Sequence, residues 1–515
     1  MKVLLVNPTG SGSSNTEYID GMFVVGGDRR YPNPPTPLMY LSGLVPSDDE
    51  VEIVDERVEA VDFDRPCDLV GITANTQQAR RAYEIADEFR KRGRKVVIGG
   101  VHPSFMPEEA KEHADNVVIG EAEDTFPLLI EDAKKGGLKQ FYKPEGPPAI
   151  AGRPLPRYGL IKFGRYRKLT LQTSRGCPYH CDFCSVWQFN GNGLRFKSFN
   201  DARSEVEAMG LAAEAQQERI NSIFFVDDNF AISTQRTIGF LRELIEYNKT
   251  AVRPIRRWGT QSSLRVARND EVLDLLYEAG CMTLFVGLES ISDEALKGFQ
   301  KTYTPVAEYN HWIEKIRARG FDLHPSFIIG TDNDDVSYFE KLVDYIKARN
   351  FNYSRINIMT PLLGTGLFKR LQNEGRIYHY DWSKYDARHA VYRPKRMSAV
   401  ELQQGFVWIY ERLCDWPFMH SFLRRDFSPS RHDGRHGSAL GRIRRSPALL
   451  KMWISQKDRK FGDIRHILRM IASREIHGRD YRYIGERLQF LDILKRDSNA
   501  YIEDVLMPIE RTASS

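Results

Sequence analysis

Residues 172–187 read Gln-Thr-Ser-Arg-Gly-Cys-Pro-Tyr-His-Cys-Asp-Phe-Cys-Ser-Val-Trp and contain three of the six cysteines of the chain. Cys177, Cys181 and Cys184 follow the spacing C-x3-C-x2-C directly after an apolar, strand-like run. A soft metal centre needs thiolate ligands, and a loop this short directs three of them into one volume. A structural zinc ion takes four ligands, whereas three thiolates on a cubic iron–sulfur cluster leave one iron open. The pattern therefore favours an iron–sulfur cluster.

Two other interpretations of this loop are a zinc knuckle completed by His180 and a set of buried thiols without metal. His180 lies next to Cys181 in the same loop, which is poor geometry for a fourth ligand, and the paired C-x2-C motifs of zinc ribbons are absent. The remaining cysteines stand singly in apolar surroundings and are predicted to be buried thiols: Cys67, Cys281 and Cys414. This use of cysteine is typical of a reducing cytoplasm rather than of a disulfide framework.

The cysteine loop, with Phe183 as the aromatic residue before its last cysteine, resembles the radical S-adenosylmethionine (radical SAM) superfamily. The resemblance implies that Cys177, Cys181 and Cys184 hold a 4Fe–4S cluster. It also implies that SAM chelates the fourth iron through its amino and carboxylate groups. An external low-potential electron donor of the flavodoxin or ferredoxin type is a further expectation.

Residues 1–140 alternate short apolar runs with helical stretches. The strand candidates are residues 2–7, 51–55, 69–73, 95–99 and 117–120. Between the third and the fourth, residues 78–92 place apolar side chains at helical spacing. The alternation predicts a Rossmann-like, doubly wound parallel sheet with its ligand at the carboxyl ends of the strands. No G-x-G-x-x-G follows the first strand, so the nucleotide-binding fingerprint is absent.

The loops after these strands, Gly-Gly-Val-His-Pro-Ser at 99–104 and Gly-Glu-Ala-Glu at 120–123, resemble the cobalamin-binding domain that precedes many radical SAM domains. The cobalamin contacts that the resemblance implies are Asn7, Thr73, Asn75, Gly99, Gly100, His102, Gly120 and Glu121. The D-x-H-x-x-G motif that supplies a lower axial histidine is missing, and residues 55–59 read Asp-Glu-Arg-Val-Glu. The lower cobalt face is therefore expected to be unligated or water-bound, with His102 hydrogen-bonded near the cofactor tail.

Residues 141–167 are rich in Pro and Gly and predict an extended connector at a domain boundary. Residues 168–395 then repeat strands and helices, for example the helices 271–278 and 308–319. The strand candidates are 169–173, 220–227, 257–262, 282–289, 322–329 and 355–360. Six such units predict a partial (β/α)6 barrel of the TIM type, with chemistry at the carboxyl ends of its strands.

Polar residues follow the ends of these strands. Each one alone could be a loop cap, but their recurrence at successive strand ends favours a ligand site. The SAM contacts that the resemblance implies are Phe183, Asp227, Asp228, Gln261, Ser263, Arg265, Glu289, Ile328 and Gly330. An Arg pairs well with the carboxylate of SAM, and a Glu pairs well with the two hydroxyls of its ribose. The chain departs from the superfamily where Asp227-Asp-Asn replaces the usual Gly-Gly-Glu. It departs again where Ser326 and Asn333 replace the Gly and Glu that flank Ile328 and Gly330.

Residues 396–515 predict a helical domain, with helices at 399–416, 447–457, 463–473 and 483–497. Residues 424–469 hold thirteen Lys and Arg against four Asp, so a peripheral contact with an anionic membrane is one hypothesis and solvated helix faces are the alternative. No RNA-binding motif accompanies the charges, and no nucleic acid is expected. No run of 18 apolar residues and no signal peptide is present, which predicts a cytoplasmic protein, with membrane association as the hypothesis stated above.

Residues 184–198 (Cys-Ser-Val-Trp-Gln-Phe-Asn-Gly-Asn-Gly-Leu-Arg-Phe-Lys-Ser) resemble hopanoid C-3 methylases and related cobalamin-dependent C-methylases. The resemblance implies a radical SAM methyltransferase that activates an sp3 carbon of a lipid or other small molecule and methylates it with methylcobalamin. One alternative is a ring-forming enzyme with the same cofactors, of the anaerobic porphyrin-ester cyclase type. The other alternative is a cobalamin and iron–sulfur sensor that regulates a partner.

Overall fold

A computed structural model describes residues 1–10, 30–220, 222–351, 353–414 and 478–514 of the 515-residue chain. The chain forms two compact units. Among the described residues, the first unit contains 1–10, 30–334 and 355–399, and the second contains most of 335–354 together with 400–414 and 478–514. Both sheets, and all residues predicted to bind cofactors, belong to the first unit.

The first sheet is parallel and has the strand order β2-β1-β3-β4-β5-β6. Its strands are β1 (Lys2–Asn7), β2 (Glu50–Asp55), β3 (Leu69–Thr73), β4 (Lys95–Gly99), β5 (Asn116–Val118) and β6 (Phe141–Tyr142). Its helices are α1 (Thr36–Leu44), α2 (Ala79–Lys91), α3 (Val101–Phe105), α4 (Pro107–His113) and α5 (Thr125–Lys134). The strands are almost wholly buried because helices cover the faces of such a sheet. The predicted doubly wound fold is confirmed.

The stretch between the two sheets is packed against the protein along much of its length. Strand β6 falls within it and extends the first sheet beyond residue 140, the predicted end of that domain. Single 3-10 turns follow at Tyr158–Leu160 and Phe163–Arg165, and Tyr158 and Phe163 are buried. The predicted domain boundaries remain predictions, since one compact unit contains both sheets.

The second sheet is also parallel and has the order β14-β13-β12-β11-β10-β7. Its strands are β7 (Leu169–Leu171), β10 (Ile223–Phe225), β11 (Trp258–Ser262), β12 (Cys281–Glu289), β13 (Asp322–Ile329) and β14 (Arg355–Ile358). A short antiparallel ribbon, β8 (Ser174–Arg175) with β9 (Arg195–Phe196), lies beside it in the chain. The first and last strands of the order do not pair, so the predicted partial barrel is confirmed.

Helices connect the strands of the second sheet, as the predicted repeats require. They are α6 (Val186–Asn190), α7 (Phe199–Ala215), α8 (Thr234–Thr250), α9 (Asp270–Glu278), α10 (Asp293–Gly298), α11 (Tyr309–Ala318), α12 (Ser337–Ala348) and α13 (Gly366–Asn373). Helix α7 begins with a capping box, in which Ser198 and Asp201 satisfy each other's backbone N–H groups. Parallel strands with short loops gather their carboxyl ends, and the loops after them, on one side of the barrel.

The second unit is helical in its described part. It contains α12, α14 (Ala399–Leu413, from Val400 onwards), α15 (Gly478–Tyr501), a π-helical turn (Ile502–Leu506) and α16 (Met507–Ser514). Gln403 of α14 donates a buried hydrogen bond to Ser498 of α15 at 3.0 Å. The helices predicted at 447–457 and 463–473, and the basic stretch 424–469, lie outside the described residues. None of the helices in the described part is long and apolar enough to span a membrane.

Candidate active site

Two aspartates at the end of β10 hold the start of the cysteine loop by hydrogen bonds. Asp227 is fully buried and accepts hydrogen bonds from the N–H (2.6 Å) and hydroxyl (2.6 Å) of Thr173 and from the hydroxyl of Ser174 (2.9 Å). Asp228 Oδ2 accepts from the N–H of Gly176 at 3.0 Å. Both oxygens of Asp227 are thus used on the loop. The contact of Asp227 with SAM stays a prediction, and in this structure the carboxylate positions the start of the cysteine loop.

The middle of the loop is held from the opposite side at Asp182, between the second and third cysteines. Its N–H donates to the carbonyl of Phe299 at 2.9 Å, and its carbonyl accepts from the N–H of Leu367 at 3.0 Å. Its carboxylate pairs with Arg370 at 3.3 Å. A side chain at Gly366 would clash with this carboxylate, so glycine at the start of α13 leaves the Asp182 side chain in its place.

The three thiols belong to one short loop and are shielded from water to different degrees. Cys181 is buried, and Cys177 and Cys184 are partly exposed. Burial raises the pKa of Cys184 to about 12 and raises the pKa of the other two thiols. Besides burial, a negative charge on Cys181 would act to raise the pKa of Cys177 and Cys184, its neighbours in the same short loop. The donor set therefore suits a centre that binds thiolates strongly.

The zinc interpretation gains no fourth ligand from His180. This ring is exposed and packs edge-on against Trp187, with centroids 4.9 Å apart. Within the described ranges, no three His, Cys, Asp or Glu side chains lie close enough to hold one metal ion. A 4Fe–4S cluster distributes its thiolates over separate irons, and the loop of Cys177, Cys181 and Cys184 fits that group.

An aromatic stack lies beside the thiols, and one of the predicted SAM contacts donates a hydrogen bond to it. Tyr179 of the cysteine loop stacks on Tyr303 with centroids 3.9 Å apart, and Tyr303 Oη lies 4.0 Å from Cys181 Sγ. Arg265 donates to the hydroxyl of Tyr179 at 2.9 Å. The structure thus brings Arg265 to the cysteine loop from the loop after β11. Tyr303 was missed in the sequence because nothing local connects it with residues more than a hundred positions earlier.

A buried ion pair lies at the end of β12. Glu289 has a left-handed backbone, with φ of 64°, and its Oε1 accepts from Lys301 Nζ at 2.7 Å. Lys301 also donates to the carbonyl of Gly287 at 3.0 Å. The positive charge of Lys301 opposes the rise in the pKa of Cys177 and Cys181, and its Nζ lies 5.8 Å from the ring centre of Tyr303. Lys301 carries no sequence signal of its own and was not predicted.

Most of the other predicted SAM contacts lie at or near the carboxyl ends of the strands, and Phe183 lies in the cysteine loop. Gln261 is exposed at the end of β11, and the N–H of Ser263 donates to Asn229 at 3.2 Å. Gly330 has φ of 87° and follows the buried Ile328 at the end of β13. Phe183 packs edge-on against Phe299 at 4.9 Å. Their contacts with SAM remain predictions.

A cavity of about 360 Å³ opens at the carboxyl ends of β3, β4 and β5. Its wall includes six of the predicted cobalamin contacts: Thr73, Asn75, Gly99, Gly100, Gly120 and Glu121. Gly100 has φ of 105°, and a Cβ there would lie 2.8 Å from the carbonyl oxygen of Ala74. Glycine backbone along this wall lets a large ligand approach the main chain closely. The wall therefore fits part of a cobalamin.

The opposite wall of the cavity was not predicted. It is formed by Gln172, Arg175, Phe189, Asn190 and Val226, which flank the cysteine loop or follow β10. Helix α1 adds Thr36 and Tyr40. The cavity is thus bounded by both sheets, and the cysteine loop starts and ends at its edge.

Two predicted cobalamin contacts do not line the cavity. His102 is fully buried, with Nε2 at 3.1 Å from Glu109, and its ring packs edge-on against Trp382. The ring points into this cluster, and its position near the cofactor tail stays a prediction. Asn7 donates to Asp55 at 2.9 Å and helps to fix the end of β1. Both residues stabilise the sheet from which the cavity is built.

Two sequence families match this chain and define its class. The B12 binding domain matches residues 23–130, and the radical SAM superfamily matches residues 171–346. A solved structure of the cobalamin-dependent SAM radical enzyme OxsB has the same fold, with a TM-score of 0.61 and 18% identity over 98% of this chain and 81% of that one. The methyltransferase TsrM from Kitasatospora setae gives a TM-score of 0.56 at 19% identity over 72% and 78% of the two chains.

Curated relatives show the family within this class. Bacteriochlorophyllide d C-8(2)-methyltransferase of Chlorobaculum tepidum is 31% identical over 390 residues, which cover 74% of this chain and 85% of the relative. The hopanoid C-2 methylase of Rhodopseudomonas palustris is 27% identical over 68% of this chain and 66% of its own length. The chain belongs to the cobalamin-dependent radical SAM methyltransferases. It is an enzyme, its cofactors are those of the family (cobalamin, SAM and a 4Fe–4S cluster), and the sensor alternative is not supported.

Proposed function

We propose that this enzyme methylates an unactivated sp3 carbon of a small, polycyclic and largely apolar molecule of the tetrapyrrole or hopanoid type. The substrate class rests on relatives named for bacteriochlorophyllide and hopanoid substrates. The observation that carries the proposal is the shared wall of the cavity. Arg175 and Asn190, which bracket the three cysteines, line the same cavity as the glycines after β4 and β5.

When bound, the cluster with SAM supplies a radical that removes a hydrogen atom no side chain could take as a proton, and methylcobalamin supplies the methyl group. The residues of the chain bind, orient and shield these groups. Asp227 and Asp228 fix the entry of the cysteine loop, and Asp182 fixes its middle. Arg265 and Lys301 place positive charge beside the thiols, where the carboxylate of SAM would be recognised.

The test is anaerobic reconstitution with iron, sulfide and hydroxocobalamin, followed by SAM with a deuterated methyl group and a low-potential reductant. Bacteriochlorophyllide and a hopanoid are the first substrates to add. We expect 5′-deoxyadenosine, S-adenosylhomocysteine and a product heavier by one deuterated methyl group. The matched control is the C177A/C181A/C184A variant, which should still bind hydroxocobalamin but yield no 5′-deoxyadenosine. A wild-type protein that binds zinc and yields none would contradict the proposal.

A ring-forming reaction is the second candidate. The anaerobic magnesium-protoporphyrin IX monomethyl ester cyclase of Rubrivivax gelatinosus is 24% identical over 510 residues, which cover 90% of this chain and 84% of the cyclase. The alignment thus extends over more of this chain than the methyltransferase alignments do. The two candidates differ in their products. A cyclase would form 5′-deoxyadenosine without S-adenosylhomocysteine and without a deuterated methyl group in the product.

Two partner predictions belong to the proposal. A donor of the flavodoxin or ferredoxin type would reduce the cluster, and replacing the chemical reductant with reduced flavodoxin tests it. Contact with an anionic membrane rests on the composition of residues 424–469 alone, thirteen Lys and Arg against four Asp. Binding to phosphatidylserine vesicles that weakens with added salt would support that contact. Equal binding to neutral vesicles would contradict it.

A further inference from the structure

The cysteine loop starts on a ribbon in which two arginines face each other. Arg175 of β8 is paired directly with Arg195 of β9. Directly opposed residues of an antiparallel pair share a face, and like charges there repel. Glu121, from the loop after β5, lies between them. Its carboxylate accepts two bonds from Arg195, at 2.6 and 2.8 Å, and one from Arg175.

Further hydrogen bonds connect the members of this charge network, and little of their surface is exposed to solvent. Glu123 accepts from Arg175 at 2.6 Å, and Gln172 accepts from Arg175 at 3.1 and 2.8 Å. The side chains of the four charged residues are 4–14% exposed. Charges this deep are costly to desolvate, and only good pairing geometry offsets that cost. A shift of the loop after β5 would therefore shift the ribbon with it.

The same residues connect the cavity to the thiols. Glu121, Glu123, Arg175 and Gln172 all line the cavity. Arg175 is two positions before Cys177, and the intervening Gly176 is fixed by its bond to Asp228 at 3.0 Å. Gly176 has φ of 96°, and a side chain there would clash with the carbonyl of Gly193. The backbone between the cavity wall and the first cysteine thus has little freedom to absorb a movement.

We propose that Glu121 is a positioning residue that couples the two cofactor sites, so that cobalamin in the cavity and the iron–sulfur cluster on the cysteine loop bind cooperatively. The inference rests on the proposed function only in that both groups bind to this chain, and it does not require turnover. A ligand that holds the loop after β5 in place also holds Glu121, the counter-ion of Arg175 and Arg195 in the ribbon. The effect is reciprocal, and couplings of this kind are about fivefold or more.

The test measures binding in the full-length, cluster-loaded protein under anaerobic conditions. One measurement is the rate at which a chelator removes iron, with and without hydroxocobalamin. The other is the Kd of hydroxocobalamin with and without the cluster. For the wild type we expect the cluster to tighten hydroxocobalamin binding by about fivefold or more, and we expect hydroxocobalamin to slow the loss of iron. In E121Q, which keeps the shape of the side chain but not its charge, both factors should fall close to one.

The matched control is D124N, which removes a more exposed ion pair with Arg153 (2.6 Å) from the same loop and should keep the wild-type factors. If E121Q fails to load either group, R195Q serves as the second variant, because it leaves Glu121 paired with Arg175 and should lower the factors partly. Wild-type factors of one, or an E121Q protein with wild-type factors, would overturn the inference. Failure of the proposed function looks different: coupling would be intact, but no methylated product would form.

Discussion

At the scale of single residues, the site depends on buried charges that each have a defined partner. Asp227 accepts three hydrogen bonds from the segment that leads into the cysteine loop. Glu289 and Lys301 form a pair in which both side chains are about nine-tenths buried. Buried charges are tolerated only while they have hydrogen-bond or ion-pair partners, so removing one partner lowers the stability of the fold.

The first prediction concerns Asp227. In D227N the amide cannot accept all three hydrogen bonds, and the charge that strengthens them is lost, so we expect a loss of about 1.5–3 kcal/mol in stability. Reconstituted protein should also bind less iron, because the entry of the cysteine loop is no longer fixed. Thermal unfolding of the apo protein and iron analysis are the measurements. D64N, at a highly exposed aspartate, is the control and should behave as wild type.

The second prediction concerns the Glu289–Lys301 pair. K301M leaves a buried carboxylate without its cation and should destabilise the apo protein by about 3–5 kcal/mol. The double variant E289Q/K301M removes the uncompensated charge and should recover most of that loss. Chemical denaturation of the three proteins measures the effect. Equal losses in the single and double variants would show that the charge pair is not the cause.

At the scale of elements, helix starts and glycine-rich turns bring the walls of the site together. Thr365 caps α13 by accepting from the N–H of Phe368 at 3.1 Å, and this cap directs the N–H of Leu367 to the cysteine loop at Asp182. In the first sheet, β4 ends in Gly99 and continues into the left-handed Gly100, which turns α3 away and leaves main chain as the cavity wall. Each element thus contributes its end, rather than its length, to the site.

The third prediction tests the glycine wall. G100A requires a residue with a side chain at φ of 105° and places its Cβ 2.8 Å from Ala74, so the wall must move. We expect the affinity for hydroxocobalamin to fall by about tenfold, which corresponds to about 1.4 kcal/mol, with the iron content unchanged. The control is G93A, which also has a positive φ, of 73°, but no atom within 4 Å of the added Cβ. It tests whether a side chain at a positive φ alters binding when it meets no neighbour.

At the scale of the whole molecule, acid stability should depend on a buried pair in the chain after β14. His389 Nδ1 lies 2.9 Å from Asp386 Oδ1. Burial acts to raise the pKa of Asp386, but the charge and hydrogen bond of His389 hold it at about 2. This lies below the value of about 3.9 for an unfolded aspartate. The pair therefore stabilises the fold above about pH 4, and this contribution is lost as the pH falls towards 2.

The fourth prediction follows from the lowered pKa of Asp386. D386N should be less stable than the wild type at pH 7 by about 2 kcal/mol, and the difference should close between about pH 4 and pH 2. Thermal unfolding of both apo proteins across this range is the measurement. D64N again serves as the control, and a difference for D386N that stays constant with pH would contradict the assignment to Asp386.

The sequence by itself determined the class of chemistry and most of the architecture. The spacing of Cys177, Cys181 and Cys184 is a local property of one loop, and local spacing alone decides whether three thiolates can reach one cluster. Apart from β6, which falls in the stretch predicted as a connector, the strands of both sheets could be predicted within a few residues for a similar reason, since buried parallel strands read as short apolar runs between helical periodicities. The position of the glycines after β4 and β5 predicted the cavity wall.

The tertiary structure alone decided how the two halves of the site meet. Arg175 and Glu121 are 54 residues apart in the chain, and Cys181 and Tyr303 are 122 apart. No local pattern signals such pairs, because their contact depends on the packing of two sheets rather than on propensity or spacing. The same reason explains the neighbours of Asp227 and His102. Both follow strands whose ends carry ligands in the family, but Asp227 accepts three hydrogen bonds and His102 Nε2 contacts Glu109, and only the folded chain brings these partners together.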